Sequence, residues 1–162
     1  MCDWTIRRAA TKDFDAVLRL WKAAGTPSGV TDTCEGLARL SAADREALLL
    51  AQADGIVVGS LIVAWDGWRG SFYRLAVHPD WRRQGIATAL LREGECRLQE
   101  RGAVRLTAIV EDHDSTANSF WEAAGYRCAA HQVRFIRHLE DVKLAGAGER
   151  EETSEDESAQ PS

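Results

Sequence analysis

The stretch YRLAVHPDWRRQGIATALL, residues 73–91, predicts a strand, a basic turn and the start of a helix in direct succession. The apolar strand ends before Pro79, because proline has no N–H group to continue a sheet ladder. Helical spacing of apolar side chains begins at Ile86. The first N–H groups of a helix lack intrahelical partners and the helix dipole adds positive charge there, so the turn at residues 81–85 predicts an anion site.

Three residues of this turn favour a bound anion. Gly85 has no side chain, which lets a ligand approach the backbone closely. Arg82 and Arg83 add full positive charges. The alternative is a glycine required only by the turn geometry beside two solvated arginines, so the rest of the chain has to decide.

Length and charge indicate one globular domain with an acidic tail. The chain has 162 residues, 45% of them hydrophobic, and a net charge of −5. Residues 146–162 hold six acids and one base, which leaves 19 acids and 19 bases in residues 1–145. We therefore expect a domain at 1–145 and a disordered tail at 146–162. A neutral domain argues against general nucleic-acid binding.

The cysteines and the hydropathy pattern indicate the class of protein. The four cysteines stand singly, without a C-x-x-C pair or a histidine at ligand spacing, which predicts neither a zinc site nor a disulfide framework. Single reduced thiols favour a cytosolic protein. No run approaches the ~18 apolar residues of a membrane span. We expect a soluble, cytoplasmic protein that binds neither metal nor membrane.

The chain before the turn reads as a strand, two helices and a strand meander. A strand is predicted at 4–8, and a helix runs from an N-cap at Thr11 to Gly25. Asp32, with Glu35 three residues later, resembles a capping box that opens a second helix. Asp-Gly pairs at 54–55 and 66–67 then predict tight turns between the strands 48–53, 56–65 and 72–77.

After the turn, a helix is predicted to run to about Arg101, and Gly94 inside it marks close packing on the sheet. The strand 106–110 follows a helical connection, so it should lie parallel to the strand that ends at Val77. Ligand sites in such units lie at the carboxyl ends of the strands, which is where the basic turn is. A short helix at 115–124 and a closing pair of strands at 127–130 and 133–139 complete the prediction.

Two motifs in this order of elements resemble those of the GNAT N-acetyltransferases, of the small stand-alone bacterial or archaeal type. The first is the family's acetyl-CoA signature, seen here as Arg82-Arg83-Gln84-Gly85-Ile86-Ala87 after the strand and His-Pro of residues 75–79. The second is a helix that ends in an aromatic pair around a glycine, seen here as Ala117 followed by FWEAAGY at 120–126. The similarity spans roughly residues 4–139.

The resemblance implies a fold and an activity. The fold is the α+β, three-layer GNAT acyl-CoA N-acyltransferase fold, a mixed twisted sheet of about six to seven strands with helices on both faces. The activity is transfer of an acetyl group from acetyl-CoA to an amine by direct attack in a ternary complex, without a metal.

The resemblance also implies which residues hold the donor. Backbone N–H groups of the turn and the first helical residues would bind the pyrophosphate of coenzyme A. The strand edge at 75–77 would pair with the pantetheine amides as if the cofactor were an added strand, with a backbone N–H near its end polarising the thioester carbonyl. Asn118 would bind the same arm, and Trp121 would pack beside the thioester. The implied cofactor-binding residues are Leu75, Ala76, Val77, Arg82, Arg83, Gln84, Gly85, Ile86, Ala87, Thr88, Asn118 and Trp121.

Two departures from the family pattern bear on catalysis. Trp121 stands where many members have a tyrosine that protonates the departing thiolate, and an indole N–H is no practical acid. The thiol of coenzyme A, with a pKa of ~8.5, can depart as a thiolate without protonation by an acid. Asp114 stands where the family usually has asparagine. For the general base, Tyr73 and Glu111 are the candidates, acting through water.

The acceptor is left open by the sequence. The loops 25–32 and 130–133 should form its site, and neither has a decisive charge pattern. A small-molecule or peptide amine fits, whereas a strongly cationic aminoglycoside has less support. A non-catalytic acyl-CoA-binding regulatory module is the alternative function, a nucleotide-phosphate binder is a third, and the oligomeric state, a homodimer included, stays open.

Overall fold

The described part of the chain, residues 3–139 of a computed structural model, contains a five-stranded mixed sheet. The strands follow each other across the sheet in chain order. They are β1 Thr5–Arg8, β2 Leu48–Ala53, β3 Ile56–Trp65, β4 Gly70–Val77 and β5 Leu106–Ala108. The pairs from β1 to β4 are antiparallel and β4–β5 is parallel, as a helical connection between them requires. The predicted meander and the predicted parallel pair are confirmed.

Four α-helices cover the two faces of this sheet. They are α1 Phe14–Ala23, α2 Cys34–Ala43, α3 Ile86–Glu100 and α4 Ser115–Ala123. Helices α1 and α2 pack on one face, where Phe14, Val17, Leu37 and Ala76 share a core. Helix α3 and Trp121 of α4 pack on the other face, against Leu61, Val63 and Phe72. The predicted layering is confirmed, and no helix of the described residues is long and apolar enough to cross a membrane.

The sheet has fewer strands than the six to seven predicted. The chain divides into two units, the first ending at Tyr126 and the second beginning at Arg127. The described residues of the second unit, 127–139, form a turn closed by a 3.0 Å bond from the Gln132 N–H to the Ala129 carbonyl, and no strand. The strands predicted at 127–130 and 133–139 are therefore wrong for these residues.

The lack of burial explains why residues 127–139 do not form the predicted strands. Alternating apolar residues stabilise a strand only when one face of it is covered. Val133 and Phe135, which carry that alternation, are 80% and 93% exposed. The predicted disordered tail at 146–162 lies outside the described residues.

The predicted start of α1 is wrong by one turn. Thr11 opens a 3₁₀ turn, Thr11–Asp13, and α1 begins after it. The Asp13 carboxylate accepts the Ala10 N–H at 2.7 Å and pairs with Arg7, which fixes the turn to β1. The Arg7 guanidinium binds both oxygens of the Asp13 carboxylate, and this contact between distant residues is not visible in the local spacing around Thr11.

The predicted capping box of α2 is also wrong. Thr33 is the N-cap, and its hydroxyl accepts the Gly36 N–H at 3.0 Å. Asp32 is bound by the guanidinium of Arg74 on β4 instead. A long-range ion pair is a feature that local sequence spacing does not reveal.

Gly94 lets α3 lie close to the sheet, as predicted. A Cβ atom there would lie 2.8 Å from Phe72 Cε1 and 3.0 Å from Val63 Cγ2. The helix ends at Glu100, with Arg101 as its C-cap. This packing carries the N-terminus of α3 to the carboxyl end of β4, where the candidate site lies.

Candidate functional site

The edge of β4 is open over its second half. Strand β5 pairs with β4 only from Gly70 to Phe72 and ends at Ala108, two residues earlier than predicted. One edge of β4 pairs with β3 along the strand. The other edge pairs with β5 up to Phe72, and from Tyr73 to Val77 no described strand pairs with it. An unpaired strand edge presents N–H and C=O groups that an extended amide chain can bind.

A β-bulge bends β4 where this open edge begins. On the β3 side, Ile62 pairs with Tyr73 and Ser60 pairs with Ala76, so Leu61 alone stands opposite two residues of β4. One of them, Arg74, has a left-handed φ of 52°. Bulges of this kind increase the local twist and bend the strand. β4 therefore diverges from β5 beyond Tyr73.

A buried polar chain holds the bulge. The indole Nε1–H of Trp21 on α1 donates to Ser60 Oγ at 2.8 Å, and the Ser60 hydroxyl donates to the Arg74 carbonyl at 2.9 Å. Ser60 is fully buried, with 0% of its surface exposed. This support is not evident from the sequence. Its only signal was a serine inside the apolar run of β3.

The side chain of Arg74 holds the loop between α1 and α2. Its Nε lies 3.1 Å from Asp32 Oδ1, and its Nη2 donates to the other oxygen of that carboxylate. Its Nη1 donates to the Pro27 carbonyl at 3.1 Å. The guanidinium also lies over the Trp21 ring, 5.3 Å from the centroid. The open strand and the predicted acceptor loop are therefore directly connected.

The basic turn forms an uncapped helix start. Gly85 is the N-cap of α3, has a left-handed φ of 81° and places no capping side chain on the first N–H groups. The first bond of the helix runs from the Ala89 N–H to the Gly85 carbonyl. A Cβ at Gly85 would have no heavy atom within 4 Å, so the backbone there has open space beside it. These N–H groups and this space suit a bound anion.

The two arginines of the turn differ in their surroundings. Arg82 Nε donates to the Val77 carbonyl at 3.3 Å, and its Nη2 donates to the Ala24 carbonyl at 3.2 Å. Arg82 thus ties the end of β4 to the end of α1. Arg83 has a left-handed φ of 65° and forms no ion pair within residues 3–139. Among the residues that the structure describes, no side chain or carbonyl binds the Arg83 guanidinium, which leaves it available to a ligand.

Asn118 and Asp114 lie at the start of α4. Asn118 Nδ2 donates to the carbonyls of Asp112, at 3.1 Å, and Glu111, at 3.4 Å. Asp114 is the N-cap and accepts the Ala117 N–H at 2.9 Å. The asparagine therefore shapes the loop between β5 and α4, and the family departure at Asp114 has a structural role.

Trp121 belongs to a buried aromatic cluster. Its ring centroid lies 6.1 Å from that of Phe72 and 4.9 Å from that of Tyr126. The Tyr126 hydroxyl donates to Glu95 Oε1 at 2.7 Å. Burial raises the pKa of the Tyr126 phenol far above its usual range, and the bond to Glu95 raises it further. The one tyrosine of this cluster is therefore a poor proton donor.

Within residues 3–139, no hydrogen bond joins the two predicted catalytic residues. The Tyr73 side chain is 40% exposed and Glu111 is exposed. Among the described residues, the Glu111 side chain has no hydrogen-bond partner, although its carbonyl accepts from the Asp114 N–H at 3.1 Å. Residues 3–139 contain no group of three or more His, Cys, Asp and Glu placed to hold a metal.

Comparison with known proteins places this geometry in a family. The sequence model of the acetyltransferase (GNAT) family matches residues 14–126. An acetyltransferase of Photorhabdus laumondii is 38% identical over 112 residues, which cover 68% of this chain and 78% of that protein. An acetyltransferase of Yersinia pestis (strain Pestoides F) is 34% identical over 121 residues, covering 75% of this chain and 86% of that protein.

A solved structure shows the same fold. The PaiA N-acetyltransferase of Thermoplasma acidophilum, crystallised in complex with coenzyme A, superposes with a TM-score of 0.70 at 17% identity. The superposition covers 80% of this chain and 93% of that one. At this identity the likeness concerns the fold alone.

Proposed function

Because the chain belongs to the acetyltransferase (GNAT) family and is an N-acetyltransferase, we propose that it takes the acetyl group from acetyl-CoA and passes it directly to an amine. One observation supports acetyl-CoA as the donor. The open edge of β4, residues 73–77, leads to the uncapped start of α3 at Gly85. A ligand with extended amides at one end and a pyrophosphate at the other matches these two features in order.

The donor is bound mainly by backbone groups. The open edge at Leu75, Ala76 and Val77 pairs with the pantetheine amides. The N–H groups of the turn and first helical residues hold the pyrophosphate, and the Arg83 guanidinium adds charge. The residues proposed for the pyrophosphate are Arg83, Gln84, Gly85, Ile86, Ala87 and Thr88.

The remaining proposed donor contacts come from side chains near the diverging strands. Asn118 lies on the first turns of α4, and its amide holds two loop carbonyls through Nδ2, which leaves its oxygen for the pantetheine arm. Trp121 packs beside the thioester. Arg82 acts indirectly, by fixing the end of β4.

The chemical step is attack of the neutral amine nitrogen on the thioester carbonyl carbon. A new C–N bond forms, the C–S bond breaks and the electron pair leaves on sulfur, while the amine loses a proton. A backbone N–H near Val77 stabilises the negative charge that develops on the carbonyl oxygen. The Glu111 carboxylate takes the proton through water, or the Tyr73 hydroxyl relays it to solvent water. The thiolate leaves without an acid, since the indole of Trp121 cannot supply a proton.

The acceptor site includes the loop at 25–32. Its only acid is Asp32, which Arg74 and the Gly29 N–H already bind. The loop therefore offers no free carboxylate to a polycation, and we propose an amine of low charge, either on a small molecule or on a peptide. The loop 130–133, which the sequence also suggested for the acceptor, belongs to the separate unit that begins at Arg127, and the proposal concerns the loop at 25–32 alone.

The cellular location follows from the thiols. Cys34, Cys96 and Cys128 are all free and exposed. Exposed single thiols suit a reducing compartment, so we propose that the enzyme works in the cytoplasm.

A panel of amines tests the proposal. Purified protein is incubated with acetyl-CoA and single amines, including monoamines, polyamines, amino acids and short peptides, and release of free thiol is followed with time. We expect at least one low-charge amine to raise release well above hydrolysis. If every amine leaves release at the background rate while acetyl-CoA still binds, the chain is a non-catalytic acyl-CoA-binding module instead.

A further inference from the structure

We propose that Arg74 is a positioning residue that holds the acceptor loop, residues 25–32, in place against the strand that carries the acyl donor. The inference rests on the proposed function for the roles of loop and strand. The anchoring itself rests on contacts of the Arg74 side chain. Arg74 would act on the reaction through the loop and without touching either substrate.

The guanidinium of Arg74 holds the loop at two separated points. Nη1 donates to the Pro27 carbonyl near the start of the loop, and Nε and Nη2 bind the two oxygens of Asp32 at its end. Asp32 in turn accepts the Gly29 N–H at 2.7 Å. Both halves of the loop are therefore connected to one side chain on β4.

The pair of Arg74 and Asp32 differs from an ordinary surface ion pair. The side chains are only 22% and 11% exposed, and the two-point geometry is the strong form of the arginine–carboxylate bond. Exposed ion pairs contribute little because water and salt screen them. Removing one partner of this partly buried pair leaves a charge that water reaches only in part, which is unfavourable. The loop should therefore depend on both residues.

The backbone of Arg74 is fixed as firmly as its side chain. Its carbonyl accepts the Ser60 hydroxyl, which is itself bound to Trp21. The same residue therefore takes its position from the buried bulge and passes that position to the loop. A misplacement of about 1 Å between reacting groups costs on the order of 100-fold in rate, so this connection matters for bringing amine and thioester together.

The test compares Arg74→Gln with wild type. Glutamine keeps a polar, uncharged end on a shorter side chain and loses the charge and the two-point bond. We expect amide hydrogen exchange of residues 26–33 to rise roughly tenfold or more, because local opening of the loop loses its two anchors. We also expect KM for the amine to rise roughly tenfold, while the Kd for acetyl-CoA stays within about twofold.

Two further variants make the test specific. Arg39→Gln removes the exposed pair of Arg39 and Glu35 on α2 and should change neither exchange in the loop nor KM. Asp32→Asn should reproduce Arg74→Gln, and the double variant should be no worse than either single one, because the two residues act as a unit. Asp32→Asn also serves if Arg74→Gln does not fold, which thermal unfolding would show.

The outcomes separate this inference from the proposed function. Unchanged loop exchange in a folded Arg74→Gln overturns the anchoring, whether or not any amine is acetylated. Faster exchange with an unchanged amine KM and kcat overturns the positioning role. If wild type acetylates no amine, the proposed function fails, and exchange in the loop still supports or overturns the anchoring.

Discussion

At the scale of single residues, Ser60 connects the core to the bend in β4. Its hydroxyl serves two buried groups, the indole N–H of Trp21 and the carbonyl of Arg74. Neither group has water available once the hydroxyl is removed, because Trp21 and Ser60 are both buried. The bend that opens β4 therefore depends on one oxygen atom.

We predict that Ser60→Ala lowers the free energy of unfolding by about 2 kcal/mol, since an unsatisfied buried donor or acceptor costs about 1–3 kcal/mol. Urea unfolding at neutral pH measures this loss. Ser119→Ala, at an exposed position on α4, is the matched control and should stay within about 0.5 kcal/mol of wild type. A Ser60→Ala protein as stable as the control would show that the polar chain does not support the bulge.

At the scale of elements, α3 links the sheet to the proposed anion site. Its packing is closest at Gly94, where Phe72 and Val63 occupy the space of a side chain. Its first turn supplies the N–H groups proposed for the pyrophosphate. The position of the helix on the sheet thus determines where those groups point.

We predict that Gly94→Val destabilises the protein by about 2 kcal/mol, because overpacking a core costs about 1–3 kcal/mol and valine gains little helix propensity over glycine. Thermal and urea unfolding both measure this. Arg92→Val, on the exposed face of the same helix, reports the cost of a β-branched residue alone. Equal stability of the two variants would contradict the close packing inferred at Gly94.

Elements with local signals could be predicted from the sequence, and those that depend on distant partners could not. The Asp-Gly turns, the parallel β4–β5 pair and the turn before α3 follow from short-range chemistry and connection rules. The strands expected after residue 126 did not form among the described residues, because alternation alone does not supply a covering face.

The same distinction holds within the site. The Gly85 turn was predictable, since a glycine and two arginines stand before a helical pattern. The contact between Arg74 and Asp32 joins residues 42 positions apart, and no local pattern marks it. The identity of the base was not predictable either, because no local sequence pattern distinguishes Tyr73 from Glu111 as the candidate.

At the scale of the whole molecule, the proposed donor and acceptor regions meet at the bulge of β4. The open edge and the Gly85 turn lie along one path for the donor, and Arg74 connects the same strand to the loop at 25–32. Binding of acetyl-CoA at this path is the central claim, because both the proposed reaction and the role of Arg74 depend on it.

Titration of acetyl-CoA into Gly85→Glu by calorimetry tests that claim most directly. The matched control is Gly67→Glu, because both glycines have left-handed φ angles, 81° and 88°, and open space at the Cβ. Gly67 lies in the turn before β4, roughly 25 Å away along the strand.

Glutamate at residue 85 would place bulk and a negative charge at the pyrophosphate. Opposing like charges cost ~3 kcal/mol or more, so we predict that the affinity of Gly85→Glu for acetyl-CoA falls at least about 100-fold, while Gly67→Glu binds as wild type does. Equal affinity of wild type and a folded Gly85→Glu would contradict the assignment of this turn to the donor.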